Sequence, residues 1–256
     1  MNTNLLDKIS KKQVALGAWV NSTDPIIAEI FTTFGCDWVF IDTEHEAIGR
    51  RDLLNLLLAF KGTSCTSIVR VPANTAENVK WVLDAGAGGI VIPQIHTADD
   101  VKAAVQHARY FPMGSRGMGA LRASQFGKDS EYYTRANRET VLMIEIEHIE
   151  AAQNIDAILQ VQGFDAIFIG FLDLAQSMGR LNNPEHPDVQ NKIADIIARS
   201  IKAGKPAGIT ARNTDELSIR LKQGATLIIL GSDYGFIRES IKSRIEQARK
   251  VMEENR

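Results

Sequence analysis

Two glutamates lie two residues apart in the apolar stretch LMIEIEH, residues 142–148. Side chains alternate between the two faces of a strand, so Glu145 and Glu147 share one face with Met143. A carboxylate that is buried without a partner costs several kcal/mol or takes up a proton. The spacing therefore predicts that a cation or another polar group faces this pair.

Other polar residues also follow short apolar runs. They are Asp42 with Glu44 and His45 beyond it, Arg70, Gln94, Asp173, Thr210, and Ser232 with Asp233. Glu147 and Asp173 could together ligate a hard divalent cation and leave positions for water and substrate. Oxygen ligands favour Mg²⁺ or Mn²⁺ over zinc, and the chain shows no His or Cys cluster.

Each of these residues also has a structural interpretation. A glutamate at a strand end is more often solvated or ion-paired than a metal ligand. Asp42 and Arg70 could pair with each other, and His45 could serve packing or capping. Asp84 falls in the last turn of a predicted helix, where the dipole disfavours a negative charge by about 0.3–1 kcal/mol. It is either solvated or faces a cation, in this chain or in another subunit.

Eight strand-like runs alternate with amphipathic segments of helical spacing. The runs are residues 14–20, 38–42, 66–71, 89–93, 141–147, 166–170, 206–210 and 226–230. Alternation predicts a parallel sheet, and eight such units close a (β/α)8 TIM barrel; a doubly wound open sheet is the alternative. The barrel would bring the polar residues that follow the strands to one mouth. Segments 111–140 and 171–187 are insertions, and the second is predicted to overlie that mouth.

Composition narrows the class of protein. The 256 residues are 45% hydrophobic and 23% charged, with a net charge of −2. Scattered basic residues argue against nucleic acid or a membrane surface as a partner. The two cysteines fit a reduced protein, and we find no signal-like apolar segment. We predict one cytoplasmic domain over residues 1–256.

Five segments together resemble the HpcH/HpaI-type metal-dependent class II pyruvate aldolases. This family includes 4-hydroxy-2-oxoheptanedioate, 2-dehydro-3-deoxyglucarate and 2-keto-3-deoxyrhamnonate aldolases. The segments are FIDTEHEAIGRRDL, VRVPANTAENVKWVLDAGAGGIVIPQI, RYFPMGSRGMG, MIEIEHIEA and FIGFLDLAQSMG. The resemblance implies a homohexameric TIM barrel that cleaves 4-hydroxy-2-keto acids to pyruvate and an aldehyde. It also implies a pyruvate enolate stabilised by Mg²⁺, Mn²⁺ or Co²⁺.

The resemblance also implies roles for individual residues. Glu147 and Asp173 match the metal ligands, and Arg70 matches the contact to the keto oxygen. His45 matches the acid–base histidine, which Asp42 supports. The remaining matches are the backbone amides of Gly170 and Leu172 for the substrate carboxylate, and Asp84 near a neighbouring subunit's site. We add Asp173 and Thr210 to the predicted substrate-binding residues, and Arg122 and Tyr132 as candidates that contact the aldehyde.

The chain departs from the family pattern at two places. It has GFLDL at residues 170–174 where relatives commonly have Gly-Pro-x-Asp-Leu, and Glu145 stands where glutamine is usual. Either change could alter the range of substrates. No lysine lies at a predicted strand end, which argues against a Schiff-base aldolase.

Two other functions stay open. A citramalyl- or malyl-thioester lyase of the citrate-lyase β type would share the barrel, the metal and the enolate, but it needs a coenzyme A site. A non-catalytic barrel that binds a keto acid would bind metal and ligand without turnover.

Overall fold

Eight parallel strands form a closed barrel in which each strand pairs with the next, and the last pairs with the first. The computed structural model describes residues 4–255. The strands are β1 (Ala15–Val20), β2 (Trp38–Asp42), β3 (Thr66–Arg70), β4 (Gly89–Ile92), β5 (Val141–Ile146), β6 (Ala166–Ile169), β7 (Ala207–Thr210) and β8 (Leu227–Ser232). The predicted barrel and its eight strands are confirmed, and the open-sheet alternative is wrong.

Helices surround the strands. Those that follow the first four strands are α2 (Pro25–Thr33), α3 (Arg50–Leu58), α4 (Ala76–Asp84) and α5 (Ala98–Ala108). The later ones are α6 (Tyr132–Glu139), α7 (Ile149–Gln153), α8 (Ile155–Gln160), α9 (Phe171–Ser177), α10 (Pro187–Lys202), α11 (Thr214–Gln223) and α12 (Asp233–Glu254). A short α1 (Asn4–Ser10) precedes β1. The sequence analysis predicted neither α1 nor α6.

Threonine caps begin two of these helices, as their sequences predict. The hydroxyl oxygens of Thr75 and Thr97 accept the backbone N–H groups of Asn78 and Asp100, at 3.2 and 3.3 Å. At Thr97 the Asp100 side chain also accepts the N–H of Thr97, at 2.7 Å, which completes a capping box. These caps fix where the chain turns away from the barrel mouth.

Strand periodicity separates two apolar cores. Outward side chains such as Ile144 and Ile146 pack under the helices, whereas Met143 lies in the barrel interior. Leu5 and Ile9 of α1 join that interior cluster, so α1 closes the end of the barrel where the strands begin. The strand interiors are therefore filled, and the open end is the one where the strands terminate.

Arg109 ties β5 and β6 together beneath the mouth. It is 2% exposed and donates to the carbonyls of Gly163, Asn137 and Thr140 at 2.7–3.0 Å. Its Nη2 also lies 2.8 Å from Asp165 Oδ2, which in turn accepts the Leu142 N–H at 2.7 Å. This buried network holds the starting ends of the two strands in register.

We expect Arg109→Met to lower the free energy of unfolding by about 3 kcal/mol, because it leaves three carbonyls and the half-buried Asp165 without their donor. Urea denaturation followed by circular dichroism measures the change. Arg50→Met is the matched control: its ion pair with Glu77 is 64% and 75% exposed, and such pairs contribute less than about 1 kcal/mol. Equal losses in the two variants would contradict the assignment.

Within residues 4–255, no helix is both long enough and apolar enough to cross a bilayer.

Candidate active site

The alternation that builds the core also builds the mouth. In β2 the residues Trp38 and Phe40 face the barrel interior, and Asp42 continues that face at the end of the strand. The same step of two residues leads from Met143 to Glu145 in β5. The last inward position of these strands is thus polar, and it lies directly above the apolar filling.

Arg70 is the cation among these last inward positions at the mouth of the barrel. It ends β3 opposite Asp42, is 6% exposed, and donates Nη2 to Asp42 Oδ2 at 2.6 Å and Nε to Oδ1 at 3.1 Å. Its Nη1 lies 3.3 Å from Glu145 Oε1, and its Nε lies 3.2 Å from Glu44 Oε2. One guanidinium therefore faces three carboxylates. The predicted pairing of Asp42 with Arg70 is present. Arg70 is also the cation that faces Glu145.

Aromatic rings complete the surroundings of the guanidinium. Arg70 lies 5.1 Å from the ring centroid of Trp19 and 5.6 Å from that of Phe40. Thr210 Oγ1 accepts the indole N–H of Trp19 at 3.2 Å, so Thr210 fixes the orientation of that ring. Both rings lie within cation–π distance of the guanidinium, so they restrict the positions that Arg70 can take.

Glu147 is held from the neighbouring strand. Its Oε1 accepts the backbone N–H of Gln94 at 2.6 Å, and the Gln94 side chain donates to Glu44 Oε1 at 3.2 Å. Gln94 has a φ of 54°, a conformation that costs of order 1–3 kcal/mol and concentrates at functional sites. The backbone of the loop after β4 is thus turned so that its amide reaches Glu147.

Gly170 leaves space for the two glutamates. A Cβ at this position would lie 2.7 Å from Glu147 Cβ and 3.1 Å from both Glu145 Oε1 and Glu147 Oε2. The N–H of Gly170 donates to the Ile146 carbonyl at 3.2 Å, within the sheet. Among the predicted carboxylate donors, the amide of Leu172 lies in the first turn of α9, where helix amides have no intrahelical acceptor.

Burial and charge shift the pKa values of three glutamates. Burial raises the pKa of Glu145 well above its usual range, with Arg70 opposing and Glu147 adding to the shift. Burial also raises the pKa of Glu147, where the Gln94 amide and Arg70 oppose the shift and Asp173 adds to it. Burial also raises the pKa of Glu44. Carboxylates exceed cations here, which favours uptake of protons or of a cation.

The donor set fits a hard divalent cation. Glu147 is 7% exposed and feels the charge of the exposed Asp173, and both offer oxygen alone. Glu44 Oε2 is buried and makes no hydrogen bond of proper geometry to any residue between 4 and 255. Carboxylate oxygens with room left by Gly170 are the surroundings that Mg²⁺ and Mn²⁺ prefer.

His45 lies at the rim. Its side chain is 62% exposed, and its Nε2 is 3.8 Å from Glu44 Oε2. Asp42 Oδ1 accepts the backbone N–H groups of Glu44 and His45 at 3.0 and 3.3 Å. Asp42 therefore supports His45 through the backbone of the loop, while both of its oxygens accept hydrogen bonds from Arg70.

Three predicted residues lie at the other end of this barrel. Asp84 ends α4 where the chain enters β4, and Arg122 and Tyr132 belong to the segment before β5. Asp84 pairs with buried Arg116 at 2.6 Å, so its expected cationic partner is in the same chain. Arg122 donates to the Ala85 carbonyl. None of the three reaches the mouth formed by their own strands.

Ser232 and Asp233 also do not join the site chemistry. Ser232 caps α12 by accepting the Gly235 N–H at 3.0 Å. Asp233 Oδ2 accepts the N–H groups of Asn21 and Ser22 at 3.0 and 2.9 Å, so it fixes the loop after β1.

Sequence reasoning missed the roles of three residues. Trp19 and Phe40 read as core aromatics, and only the closed barrel places them beside Arg70. Gln94 was noted as a strand-end residue, but nothing in the sequence indicates that its backbone amide is the functional group. A glutamine in the sequence does not indicate a positive φ. No sequence signal therefore predicts that the Gln94 amide points toward Glu147.

We expect Glu145→Gln to change how stability depends on pH. A raised folded-state pKa means that the folded protein keeps a proton which the unfolded chain loses near pH 4.5, so wild-type stability falls as pH rises above that value. In the variant the glutamine does not titrate, so this loss of stability with rising pH is absent. Its unfolding free energy relative to wild type should climb with pH, by at most about 1.4 kcal/mol per unit.

Urea denaturation between pH 5 and pH 8 in about 1 mM EDTA measures this difference, because Glu145 is then free of bound cations. Glu246→Gln on the exposed part of α12 is the control, since its pair with Lys242 is 64% exposed on the glutamate side. Parallel curves for wild type and Glu145→Gln would contradict the prediction.

Comparison with known proteins agrees with this architecture. Over 243 residues the chain is 35% identical to a 5-keto-4-deoxy-D-glucarate aldolase from Escherichia coli O6:H1, covering 94% of this chain and 95% of that protein. A crystal structure of an HpcH/HpaI aldolase/citrate lyase family protein from Burkholderia cenocepacia J2315 superposes with a TM-score of 0.93 at 30% identity. The match covers 96% of this chain and 99% of that one.

A crystal structure of an HpcH/HpaI aldolase from Desulfitobacterium hafniense DCB-2 gives a TM-score of 0.91 at 27% identity, over 96% of this chain and 97% of that one. Residues 15–240 match the family described as HpcH/HpaI aldolase/citrate lyase. The resemblance predicted from the sequence is therefore confirmed. The chain is a barrel lyase that belongs to the HpcH/HpaI aldolase/citrate lyase family.

Proposed function

We propose that the protein is a class II pyruvate aldolase that cleaves 4-hydroxy-2-keto acids to pyruvate and an aldehyde. The observation that carries this proposal is the buried Arg70 beside the acidic pair Glu145 and Glu147 at the carboxyl ends of β3 and β5. A cation donor and oxygen ligands at one mouth match the needs of an enolate-forming lyase. The aldolase relative from Escherichia coli supports the reaction class.

Glu147 and Asp173 are the proposed ligands of a divalent cation, Mg²⁺, Mn²⁺ or Co²⁺. When bound, such a cation would polarise the carbonyl of a 2-keto acid and make the neighbouring C–H more acidic. Oxygen ligation supports these cations. The Gln94 amide holds Oε1 of Glu147 at 2.6 Å, and the carboxylate can therefore present its other oxygen in one orientation.

Arg70 is proposed to stabilise negative charge on the keto oxygen as the C–C bond breaks. Its Nε and Nη2 donate to Asp42. Within residues 4–255, Nη1 makes only the longer contacts of 3.3 and 3.4 Å to Glu145. Nη1 is therefore the donor that a substrate oxygen would take over. The strong pairing with Asp42 positions the guanidinium before substrate arrives, so little reorganisation is needed.

His45 is proposed to move the proton, directly or through water. Cleavage of a 4-hydroxy-2-keto acid removes the proton of the 4-hydroxyl group and returns one to the methyl carbon of pyruvate. An imidazole suits both steps because its ordinary pKa lies near neutrality. Its exposure of 62% lets it reach a substrate that enters from solvent, while the backbone bond to Asp42 fixes its Cα.

Glu145 distinguishes this mouth from relatives with glutamine. A protonated Glu145 can donate one hydrogen bond, as an amide would, whereas an ionised one competes with the keto oxygen of the substrate for Arg70. Phe171, which stands where relatives commonly carry proline, lies 5.3 Å from the Arg212 guanidinium in the loop after β7. We propose that these two departures set the range of aldehydes.

We propose that the enzyme is a homo-oligomer, a hexamer by its family resemblance, in which neighbouring subunits share a site. Asp84 and Arg122 lie at the far end of their own barrel, so they can serve a mouth only in another subunit. The apolar stripe of Ile237, Ile241 and Ile245 on α12 is 47–53% exposed. Leu16 and Leu230 on adjoining strands β1 and β8 are 37% and 36% exposed. A second copy would cover these apolar surfaces.

Two further assignments accompany this proposal. The chain works as one domain, because the closed sheet draws its strands from residues 15 to 232. It works in the cytoplasm, which its thiols support: within residues 4–255, where both cysteines lie, no disulfide is formed.

We expect the metal-stripped protein to exchange the methyl protons of pyruvate in D₂O after Mg²⁺, Mn²⁺ or Co²⁺ is added. Proton NMR follows the loss of the methyl signal. Arg70→Ala and Glu147→Ala should each slow the exchange at least about 100-fold, since each removes a group that stabilises developing charge. Arg199→Ala should leave it unchanged, because the pair with Asp156 is on the exposed helical exterior. Absence of exchange in folded wild type with every cation would overturn the proposal.

We expect activity to reappear when two inactive variants share a site. Asp84→Asn should lower turnover at least about tenfold through misplaced contacts, and it retains a hydrogen-bonding group for Arg116. Random reassembly of Asp84→Asn with Arg70→Ala subunits would create roughly a quarter of sites with both residues intact. Turnover by the mixture, compared with each variant alone, is the measurement. A mixture no more active than its components would contradict a shared site.

A further inference from the structure

A second set of metal-ligating side chains lies beside the mouth. His96, His148 and Glu150 each offer a ligand atom, and these atoms all lie within 4.8 Å of one another. His96 Nδ1 is 3.2 Å from Glu150 Oε2, and the two imidazole ring centroids are 4.7 Å apart. The two histidines are 52 positions apart in the chain, so the sequence shows no His cluster; the pairing of β4 with β5 brings their loops together.

Backbone contacts hold the three Cα positions. The N–H of His96 donates to Asp100 Oδ2 at 3.0 Å, and its carbonyl accepts Asn154 Nδ2 at 2.9 Å. His148 is the N-cap of α7, and Glu150 lies in the first turn of that helix. Two anchored loops therefore hold the imidazoles close together, with the three ligand atoms within 4.8 Å of one another.

We propose that His96, His148 and Glu150 form a binding site for a borderline divalent transition-metal ion, of which Zn²⁺ is the representative. Two imidazoles and a carboxylate are a common ligand set for zinc, with water as the fourth ligand. A tetrahedral ion with bonds of about 2.0–2.1 Å places its ligand atoms about 3.3 Å apart. The 3.2 Å between His96 Nδ1 and Glu150 Oε2 matches this separation.

His148 contributes at the expense of its cap. Its Nδ1 accepts the backbone N–H of Glu150 at 3.2 Å, so coordination through this nitrogen breaks that hydrogen bond. A single cap hydrogen bond is worth typically about 1 kcal/mol, far less than a zinc–imidazole bond. Replacing the cap hydrogen bond by a zinc–imidazole bond is therefore favourable, and the lost cap lowers the Zn²⁺ affinity only modestly.

The proposed site differs in chemistry from the pair Glu147 and Asp173. Nitrogen ligands favour Zn²⁺, Ni²⁺ or Cu²⁺, whereas an all-oxygen pair favours Mg²⁺ or Mn²⁺. The two sites nevertheless share their loops, because His148 follows Glu147 and His96 lies two residues after Gln94. An ion bound to the two histidines would tie together the loops that the bond from Gln94 to Glu147 also joins. It would therefore position Glu147 without touching the substrate.

The test uses the full-length protein with Glu147→Ala and Asp173→Ala, which removes the oxygen site. Isothermal titration with Zn²⁺ and visible absorption of bound Co²⁺ report the remaining site. His96→Ala and His148→Asn are then introduced separately. Asparagine is itself a favoured N-cap, so His148→Asn removes the imidazole and keeps α7 capped. Melting curves in EDTA check that each variant is folded.

His186 provides the matched control. It is the N-cap of α10, its Nδ1 accepts the Asp188 N–H at 3.2 Å, and it lies 3.4 Å from the Asp188 carboxylate. This arrangement reproduces the His148 cap and acid without a second histidine. His186→Ala in the same background should leave Zn²⁺ affinity within about twofold, since a lone histidine–carboxylate pair binds weakly.

We expect the background protein to bind one Zn²⁺ per subunit, and His96→Ala and His148→Asn each to weaken binding at least about tenfold. The Co²⁺ complex should show the intense visible absorption of tetrahedral coordination, which an octahedral oxygen site lacks. No Zn²⁺ binding in the background protein would overturn the proposal. So would unchanged affinity in the two variants, or a loss in His186→Ala as large as theirs.

Discussion

The contact between Arg70 and its carboxylates is the constraint on which the mouth depends. One guanidinium, 6% exposed, faces Asp42, Glu44 and Glu145, which come from β2, the loop after it and β5. Removing the cation would leave these carboxylates buried without a counter-charge, a loss that costs more than the pair itself contributes. The rings of Trp19 and Phe40 pack beside the same guanidinium, so apolar and ionic contacts fix one orientation of it.

The surplus of negative charge explains why this mouth suits a cation. Arg70 is a single positive charge, and with Glu147 added the buried carboxylates outnumber it. Burial raises the pKa of both Glu145 and Glu147. The charge of Glu147 adds to the shift of Glu145, and the charge of Asp173 adds to the shift of Glu147. Such a site can be relieved by protons or by a divalent ion. A keto-acid substrate is itself negative, so it enters more readily once the surplus is neutralised.

The loops after β4 and β5 act as one structural unit. The Gln94 amide reaches Glu147 at 2.6 Å, and Asn154 Nδ2 donates to the carbonyl of His96 at 2.9 Å. The strained φ of Gln94 is held by its own amide bond to Glu147 and by the hydrogen bonds of His96 two residues later. Because the candidate oxygen ligand and the candidate histidine ligands lie on these two loops, anything that orders one loop also orders the other.

Much of this protein can be derived from its sequence alone. Period-two alternation predicts that Glu145 and Glu147 share one face, at and just beyond the end of β5, and eight apolar runs predict eight strands with limits within about two residues. Those patterns are local, since each needs only the neighbouring residues to decide which face is buried. For the same reason, the sequence could indicate that Arg70, His45 and Asp173 lie at strand ends.

Closure of the barrel decided the rest, because it brings together residues that are far apart in the chain. It placed Arg70 against Glu145, 75 positions away, and turned the backbone amide of Gln94 toward Glu147. It put Asp84 at the far end of the barrel with Arg116 as its partner. Such pairings depend on the register of eight strands and on loop backbone angles, neither of which the identity of one side chain reveals.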